Sequence, residues 1–340
     1  MAIKTLGIDI GKTVFHLIGL DELDRIVFRR RVSRTQLIRF AANLPVCLIG
    51  MEACGGAHHL SRALSALGHD VRLMPPQYVR PFVKSHKNDY RDAEAIAEAV
   101  QRPTMRFVAT KTPEQLDLQA LHRIRDRLVG RRTALINQIR AFLLERGLTV
   151  GQGVAKLRQR LPLILEPESE TGLSALMRRL LLSLWREWQS LDHGITELTG
   201  ELERLARGDE ICRRLRSIPG IGPITATALV AAVGNASGFG RGRDLAAWLG
   251  LVPRQFSTGG KTKLLGISKR GNRSVRRLLV QGAHAVLQSA EHQQGTLGVW
   301  IRNLLARRHR NLAAVALANK MARIAWAVMT RKESYRPTFA

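Results

Sequence analysis

The chain has 340 residues, enough for two or three domains and an ample core. Lys and Arg number 54 against 27 Asp and Glu, a formal charge of +27 with a pI near 11.5; this excess needs a polyanion or persists as self-repulsion, which puts nucleic acid ahead of an anionic membrane as the partner. Cys47, Cys54 and Cys212 form no CxxC pair, which excludes a structural zinc motif and fits a reducing cytoplasm. No basic, apolar and small-residue leader opens the chain, and no uncharged run reaches the ~18 residues of a membrane span.

Residues 3–10 and 13–20 read as a β-hairpin joined by a Gly-Lys turn, and Ile26-Val27-Phe28 starts a third strand. Val46 to Met51 is a short apolar run of the kind found in a buried parallel strand. A helix is predicted from Ala57 to Leu67, a strand over Asp70–Met74 that Pro75-Pro76 stops, and a helix from Asp89 to Val100. Three strands followed by β-α-β-α is the element order of an RNase H-like fold, an analogy that goes beyond what periodicity itself supplies.

From Pro113 to Arg207 apolar residues recur at helical spacing, with arginines between. Two long amphipathic helices separated around Gly147–Gly153 suggest an antiparallel hairpin or coiled-coil arm, for nucleic-acid contact or for dimerisation. Beyond Leu215, Ser217-Ile218-Pro219-Gly220-Ile221-Gly222-Pro223 is a Gly-rich turn entering a helix, and looks like a helix-hairpin-helix motif. Gly220 and Gly222 would let backbone N–H groups approach a phosphate. Further helices are expected at Arg243–Leu249, Asn272–Leu287, Leu297–Arg307 and Leu312–Met329, with a polar loop over Pro253–Lys263. The resulting partition is 1–110, α/β; 113–207, a helical arm; and 210–335, mostly helical.

Four acids fall where chemistry is made. Asp9 and Glu52 each end an apolar strand, and Asp89 and Asp92 open a helix three residues apart on one face. Carboxylates so grouped suit magnesium, with manganese as a substitute, and two such ions ~4 Å apart serve phosphodiester chemistry. Asp92 is favoured over Asp89 as the direct ligand, Asp89 having a second reading as a helix N-cap. A competing reading takes Asp9-Ile10-Gly11-Lys12-Thr13 as the DxGxT phosphate loop of sugar kinases and actin-like ATPases. It lacks the second acidic-glycine loop and the adenosine loop those proteins need. His58 and His59 follow Glu52 closely and read as a helix start, not as ligands. Trp185, Trp188, Trp248, Trp300 and Trp326 read as core or interface anchors.

Seven ordered motifs then carry a resemblance: Gly7-Ile8-Asp9, Met51-Glu52-Ala53, Asn88 to Ala93, Ile218 to Gly222, Leu249 to Pro253, Ser257 to Lys261 and Ile267 to Asn272. Over nearly its whole length the chain resembles the DEDD-type insertion-sequence transposases that use a bridge RNA (the family numbered one hundred and ten, eleven-eleven subgroup, related to Piv-type invertases). The resemblance implies a RuvC-like catalytic domain holding Asp9, Glu52, Asp89 and Asp92. It also implies a C-terminal transposase domain whose serine attacks DNA, the two making one composite active site. An ungapped match of the loop sets the family's serine opposite Thr258, whereas the serine here is Ser257. The less hindered primary hydroxyl favours Ser257, with Thr258 the alternative and Ser268 behind both.

Arg254, Lys261 and Lys263 flank that loop. Lys269, Arg270, Arg273, Arg276 and Arg277 cluster around the next helix, and Arg307, Arg308, Arg310 and Lys320 form a further group, all suited to phosphate contact without sequence readout. The resemblance further implies a bridge (guide) RNA, target and donor double-stranded DNA, and a homo-oligomer, a tetramer built from dimers. No membrane is expected, and the place of action is the cytoplasm, at the nucleoid. The alternative function is a metal-dependent, RuvC-like junction or structure-specific endonuclease with no covalent serine intermediate.

Overall fold

The computed structural model describes residues 3–84, 86, 88–166 and 171–337. The chain divides into two compact units, residues 1–113 and 114–340.

The first unit carries β1 (Thr5–Ile10), β2 (Val14–Leu20), β3 (Ile26–Ser33), α1 (Arg34–Ala42), β4 (Leu48–Glu52), α2 (Ala57–Ala66), β5 (Asp70–Met74), α3 (Pro76–Val79) and α4 (Asp89–Val100). The sheet order is β3-β2-β1-β4-β5. β1 is antiparallel to β2 and parallel to β4, which is parallel to β5. This mixed sheet is compatible with an RNase H-like domain. The element order anticipated from sequence lacked α1. Its signature is a capping box: the Ser33 hydroxyl accepts from the Gln36 amide while the Gln36 side chain accepts from the Ser33 amide.

One sheet face buries Leu6, Ile8, Phe15, Leu17, Ile49 and Met51 in a core shared with α1 and α2. The other face is covered by α4, and glycine sets how near α4 comes. A Cβ built on Gly7 would lie 2.2 Å from the Ala93 carbonyl oxygen and 2.6 Å from the Ala97 amide nitrogen. A Cβ on Gly50, the β4 partner of Gly7, would lie 2.8 Å from the Cβ of Val100. The helix answers with alanine at positions 93, 95, 97 and 99, all buried.

The second unit carries α5 (Pro113–Leu144), α6 (Val154–Leu165), α7 (Ala175–Gly208), α8 (Glu210–Leu215), α9 (Pro223–Val233), α10 (Gly242–Trp248), β6 (Pro253–Thr258), β7 (Lys261–Ile267), α11 (Arg273–Gln288), α12 (Gly295–Leu305) and α13 (Arg310–Arg331). α5 and α7 run antiparallel. Arg125 donates to Thr199 at 2.8 Å, Arg132 pairs with Asp192 at 2.9 Å and Arg131 with Glu187 at 2.9 Å, so partners descend along α7 as α5 advances. The two-helix expectation for this arm missed α6. Leu157, Leu161, Ile164 and Leu165 of α6 join Ile139 and Trp188 in the arm's core, and Pro162 lies inside the helix.

α13 is long and apolar enough to cross a membrane by length and composition, but half of its apolar stretch is buried in the unit. Leu317, Met321, Ala325 and Met329 belong to the main core with Leu279 and Leu245. The tryptophans divide. Trp188 is fully buried, and Trp326 donates its Nε1 proton to the Phe239 carbonyl at 2.9 Å. Trp300 carries the Lys320 ammonium 4.7 Å from its ring centroid, and Trp248 is exposed.

Two outcomes follow from this packing. Gly7→Ala is expected to destabilise the protein by about 1–3 kcal/mol, since neither contact is a movable side-chain end. Gly55→Ala, where a Cβ meets nothing within 4 Å, is expected to leave the thermal midpoint near that of the wild type. The second outcome concerns pH. Thr227 donates its hydroxyl to the Pro223 carbonyl at 2.8 Å, so the His122 Nε2 at 3.0 Å is the donor of that pair. Burial holds the imidazole down at about 4, below its unfolded value near 6.5. The unfolded chain therefore binds a proton that the native protein refuses, and stability falls as pH drops from about 6.5 towards 4. Thermal melting at about pH 7.5 and pH 5 should show this drop, and His122→Gln should reduce it.

Candidate active site

The strands and α4 converge on one end of the sheet. Asp9 is the penultimate residue of β1 and shares the α4 face with Gly7, two residues before it. Glu52 ends β4, next after the residue that pairs with Ile8. Asp92 lies in the first turn of α4. All three are half-buried. Burial raises the Glu52 carboxyl above its ordinary value, and the negative charges of Asp9 and then Asp92 add to the rise. The thiol of Cys54 is raised by burial and then by Glu52 and Asp9. The effect of Asp9 and Asp92 on Glu52 thus marks the three as neighbours.

Asp89 stands apart from that group. It is exposed, and its Oδ2 lies 3.6 Å from His16 Nδ1. The N-cap of α4 is Asn88, whose side chain accepts from the Tyr90 amide at 3.0 Å, so the N-cap reading of Asp89 is corrected. His16 went unnoticed in the sequence. It pairs with Asp9 across β1 and β2 and meets the Tyr90 ring edge-on at 4.8 Å. The register expected from sequence was wrong: a two-residue Gly-Lys turn would set Val14 opposite Asp9, whereas Ile10 pairs with Phe15 across a longer turn, which brings His16 to Asp9. The remaining acids of α4 are occupied, Glu94 and Glu98 binding Lys84 at 3.2 and 2.7 Å.

His58 points elsewhere, accepting from the Lys111 amide at 3.2 Å, while Arg62 donates to the Lys111 carbonyl. His59 is exposed. The turn after Asp9 is held from α1, where Arg34 donates to the Lys12 carbonyl at 3.2 Å. Among the described residues no three His, Cys, Asp or Glu close into a metal-enclosing cluster. The donor set of Asp9, Glu52 and Asp92, with Asp89 nearby on the same helix turn, is nevertheless all hard oxygen. It fits a divalent cation whose charge would relieve the repulsion.

The second unit presents hydroxyls and cations. The expected polar loop is a β-hairpin. Gly259 and Gly260, with φ of 55° and 76°, make its two-residue turn, a conformation that suits glycine at both positions. Ser257 pairs with Thr262 and Thr258 with Lys261, so the two candidate hydroxyls occupy opposite faces. On one face Gln255 donates to the Ser257 Oγ at 2.7 Å, and Thr262 Oγ1 lies 3.4 Å away. On the other face Thr258 stands with Arg254, Phe256, Lys261 and Lys263. Ser268 does not cap α11: Asn272 does, accepting from the Val275 amide at 3.1 Å.

The arginine cluster separates into two sets. Arg276 donates to the carbonyls of Leu249 and Arg270 at 2.8 Å each, and Arg277 pairs with Asp126 at 2.6 Å, so both hold the fold. Lys269, Arg270 and Arg273 are exposed, as are Arg254, Lys261, Lys263, Arg307, Arg308 and Arg310. Gly220, with φ of 84°, packs against α11, where a Cβ would lie 2.8 Å from the Gly282 carbonyl oxygen; Gly222 is open. Close helix packing therefore requires Gly220, and the open N–H approach remains at Gly222. A groove of about 500 Å³ that the sequence did not reveal lies between α10 and α13, lined by Arg241, Arg243, Lys320, Arg323 and Trp326.

Comparison with known proteins gives these groups a context. A DEDD transposase model of the IS110 type matches residues 6–146, and the model of the transposase IS116/IS110/IS902 family matches residues 212–296. The chain is 49% identical to the transposase for insertion sequence element IS1111A of Coxiella burnetii, over 98% of this chain and 92% of that protein. It is 47% identical to the transposase for insertion sequence element IS1328 of Yersinia enterocolitica, over 97% of each. It is 46% identical to a probable family 20 transposase of Pseudomonas aeruginosa, over 99% of this chain and the whole of that protein. Charge, carboxylate grouping and whole-length similarity agree: the chain belongs to the IS110 family of DEDD transposases, enzymes that act on DNA.

Proposed function

We propose that this transposase cuts, exchanges and rejoins the strands of an insertion element through a covalent protein–DNA intermediate formed by Ser257. The observation that carries the reading is the gathering of Asp9, Glu52 and Asp92 by α4, a group whose like charges call for a cation. Magnesium is the ion of choice and manganese its substitute, held by Asp9, Glu52 and Asp92 with Asp89 beside them. When bound, it offsets negative charge on the phosphate and favours ionisation of an attacking oxygen.

The chain's own residues do the rest. Ser257 Oγ attacks phosphorus once its proton passes to a neighbouring base. The Oγ–P bond forms as a phosphorus–deoxyribose oxygen bond breaks, and the leaving oxygen takes up a proton. Attack by another deoxyribose hydroxyl on the phosphoserine reverses the step and rejoins DNA with no outside energy source. The Gln255 side chain, donating to Ser257 Oγ, orients the hydroxyl. Exposed Arg254, Lys261, Lys263, Lys269, Arg270 and Arg273 hold phosphates without reading sequence. Target choice belongs to a bridge RNA pairing with target and donor DNA. Its support is the family resemblance, and the charge of +27 accommodates it. Exposed Leu144, Leu163, Leu176 and Leu180 support self-association through the helical arm, towards a tetramer of two dimers. DNA as substrate places the work in the cytoplasm.

A second reading is a metal-dependent structure-specific nuclease without a covalent step, which needs the carboxylates of the first unit and no serine. Denaturing electrophoresis after incubation with guide RNA, DNA and magnesium separates the two. A protein–DNA adduct is expected, lost in Ser257→Ala and kept in Thr258→Ala; the opposite pattern would make Thr258 the nucleophile. Cleavage with no adduct selects the nuclease. Asp9→Ala should abolish cleavage while nucleic-acid binding persists, and so should chelation of the metal, with added magnesium restoring the chelated wild type.

A further inference from the structure

The β6–β7 hairpin is packed only at its base, where Ile267 of β7 meets the core. Every residue of β6 is exposed, and Phe256 and Leu264 stand 63% and 64% accessible. An isolated two-stranded ribbon is marginal in water and gains nothing from exposing a phenyl ring, so these groups invite a partner. The register identifies its chemistry. Phe256 lies directly opposite Lys263 and shares its face with Arg254, Thr258 and Lys261. From Leu245 to Ala290 the chain holds eight Lys and Arg and no Asp or Glu. The bare Gly259-Gly260 turn keeps the tip narrow, with nothing within 4 Å of a Cβ at either position.

From this juxtaposition we propose that the Arg254–Phe256–Lys261–Lys263 face grips an unpaired stretch of the DNA substrate, Phe256 stacking on a base while the three cations contact flanking phosphates. An aromatic ring among cations, with no carboxylate nearby, is how proteins hold nucleotides out of a duplex. An apolar peptide would leave the cations unmatched, and an acidic peptide would leave the ring unmatched. The proposal rests on the family's action on DNA and is independent of which hydroxyl attacks. It assigns Phe256 a positioning role that neither the carboxylates nor the hydroxyls supply.

The test uses the full-length protein and two DNA probes of one sequence, one fully paired and one with a short central bubble carrying 2-aminopurine. Wild-type protein should bind the bubble more tightly and quench the 2-aminopurine fluorescence. Phe256→Ala should weaken bubble binding roughly tenfold and abolish the quench, with duplex binding unchanged. Phe256→Trp should restore both. Lys263→Ala should weaken both probes and lower the salt dependence of binding. Because Phe256 is exposed, its variants are expected to melt with the wild type, and melting curves verify this. Equal loss on both probes, or no loss on either, overturns the proposal. So does displacement by polyglutamate as effective as by single-stranded DNA. Tighter binding of the same bubble in RNA moves the face to an RNA partner and overturns the DNA assignment. Ser257→Ala should leave the quench intact even where it removes the adduct, so failure of the covalent reading and failure of this one are separable.

Discussion

The distance at which α4 crosses the sheet governs what the first unit can do, because the carboxylates at the ends of β1 and β4 and the one on the helix come from segments far apart in the chain. Side chains on the strands would hold the helix off. Gly7 and Gly50 remove them at two paired positions, and the alanines of α4 remove the bulk on the other side. The helix therefore descends until the backbone of α4 nearly touches the β1 backbone. Asp92, one residue before Ala93, is carried down with it to where Asp9 and Glu52 end their strands.

That approach has an electrostatic consequence. Burial, and then the charges of Asp9 and Asp92, disfavour ionisation of Glu52, in a protein otherwise rich in cations. Outside the group, Glu94 and Glu98 hold Lys84, and Asp89 faces His16.

The second unit solves a different problem, presenting reactive and cationic groups on a rigid support. Its core is built of closely packed helices, with Gly220 against Gly282 and Gly242 against the backbone of Arg323 allowing contact at backbone distance. Arg276 ties the turn after Trp248 to the loop before α11, which fixes the base of the β6–β7 hairpin. From that base, where Ile267 meets the core, the outer part of the hairpin projects exposed, one face bearing hydroxyls and the other cations and a ring. Rigidity at the base and exposure at the tip let a small element reach a large ligand.

Much of this was legible in the residues. Alternation, Pro75-Pro76 and the helical run after Asp89 marked the strands and α4, while the cap itself proved to be Asn88 and not Asp89. Less legible were α1, whose Ser33-Gln36 capping box lies in a polar stretch with little apolar period, and α6, which carries Pro162. The hairpin at Ser257 hid because no residue of β6 is buried, so no apolar alternation records it. By itself the sequence pointed to nucleic acid, through charge, and put Asp9, Glu52, Asp89 and Asp92 at strand ends and a helix start, through local pattern. Tertiary structure alone decided that His16 faces Asp9, that Arg276 and Arg277 serve the fold, and that Ser257 and Thr258 look opposite ways. The physical reason is that spacing within one element is set by backbone geometry over a few residues. Proximity between elements depends instead on packing and register, which no single stretch of chain encodes.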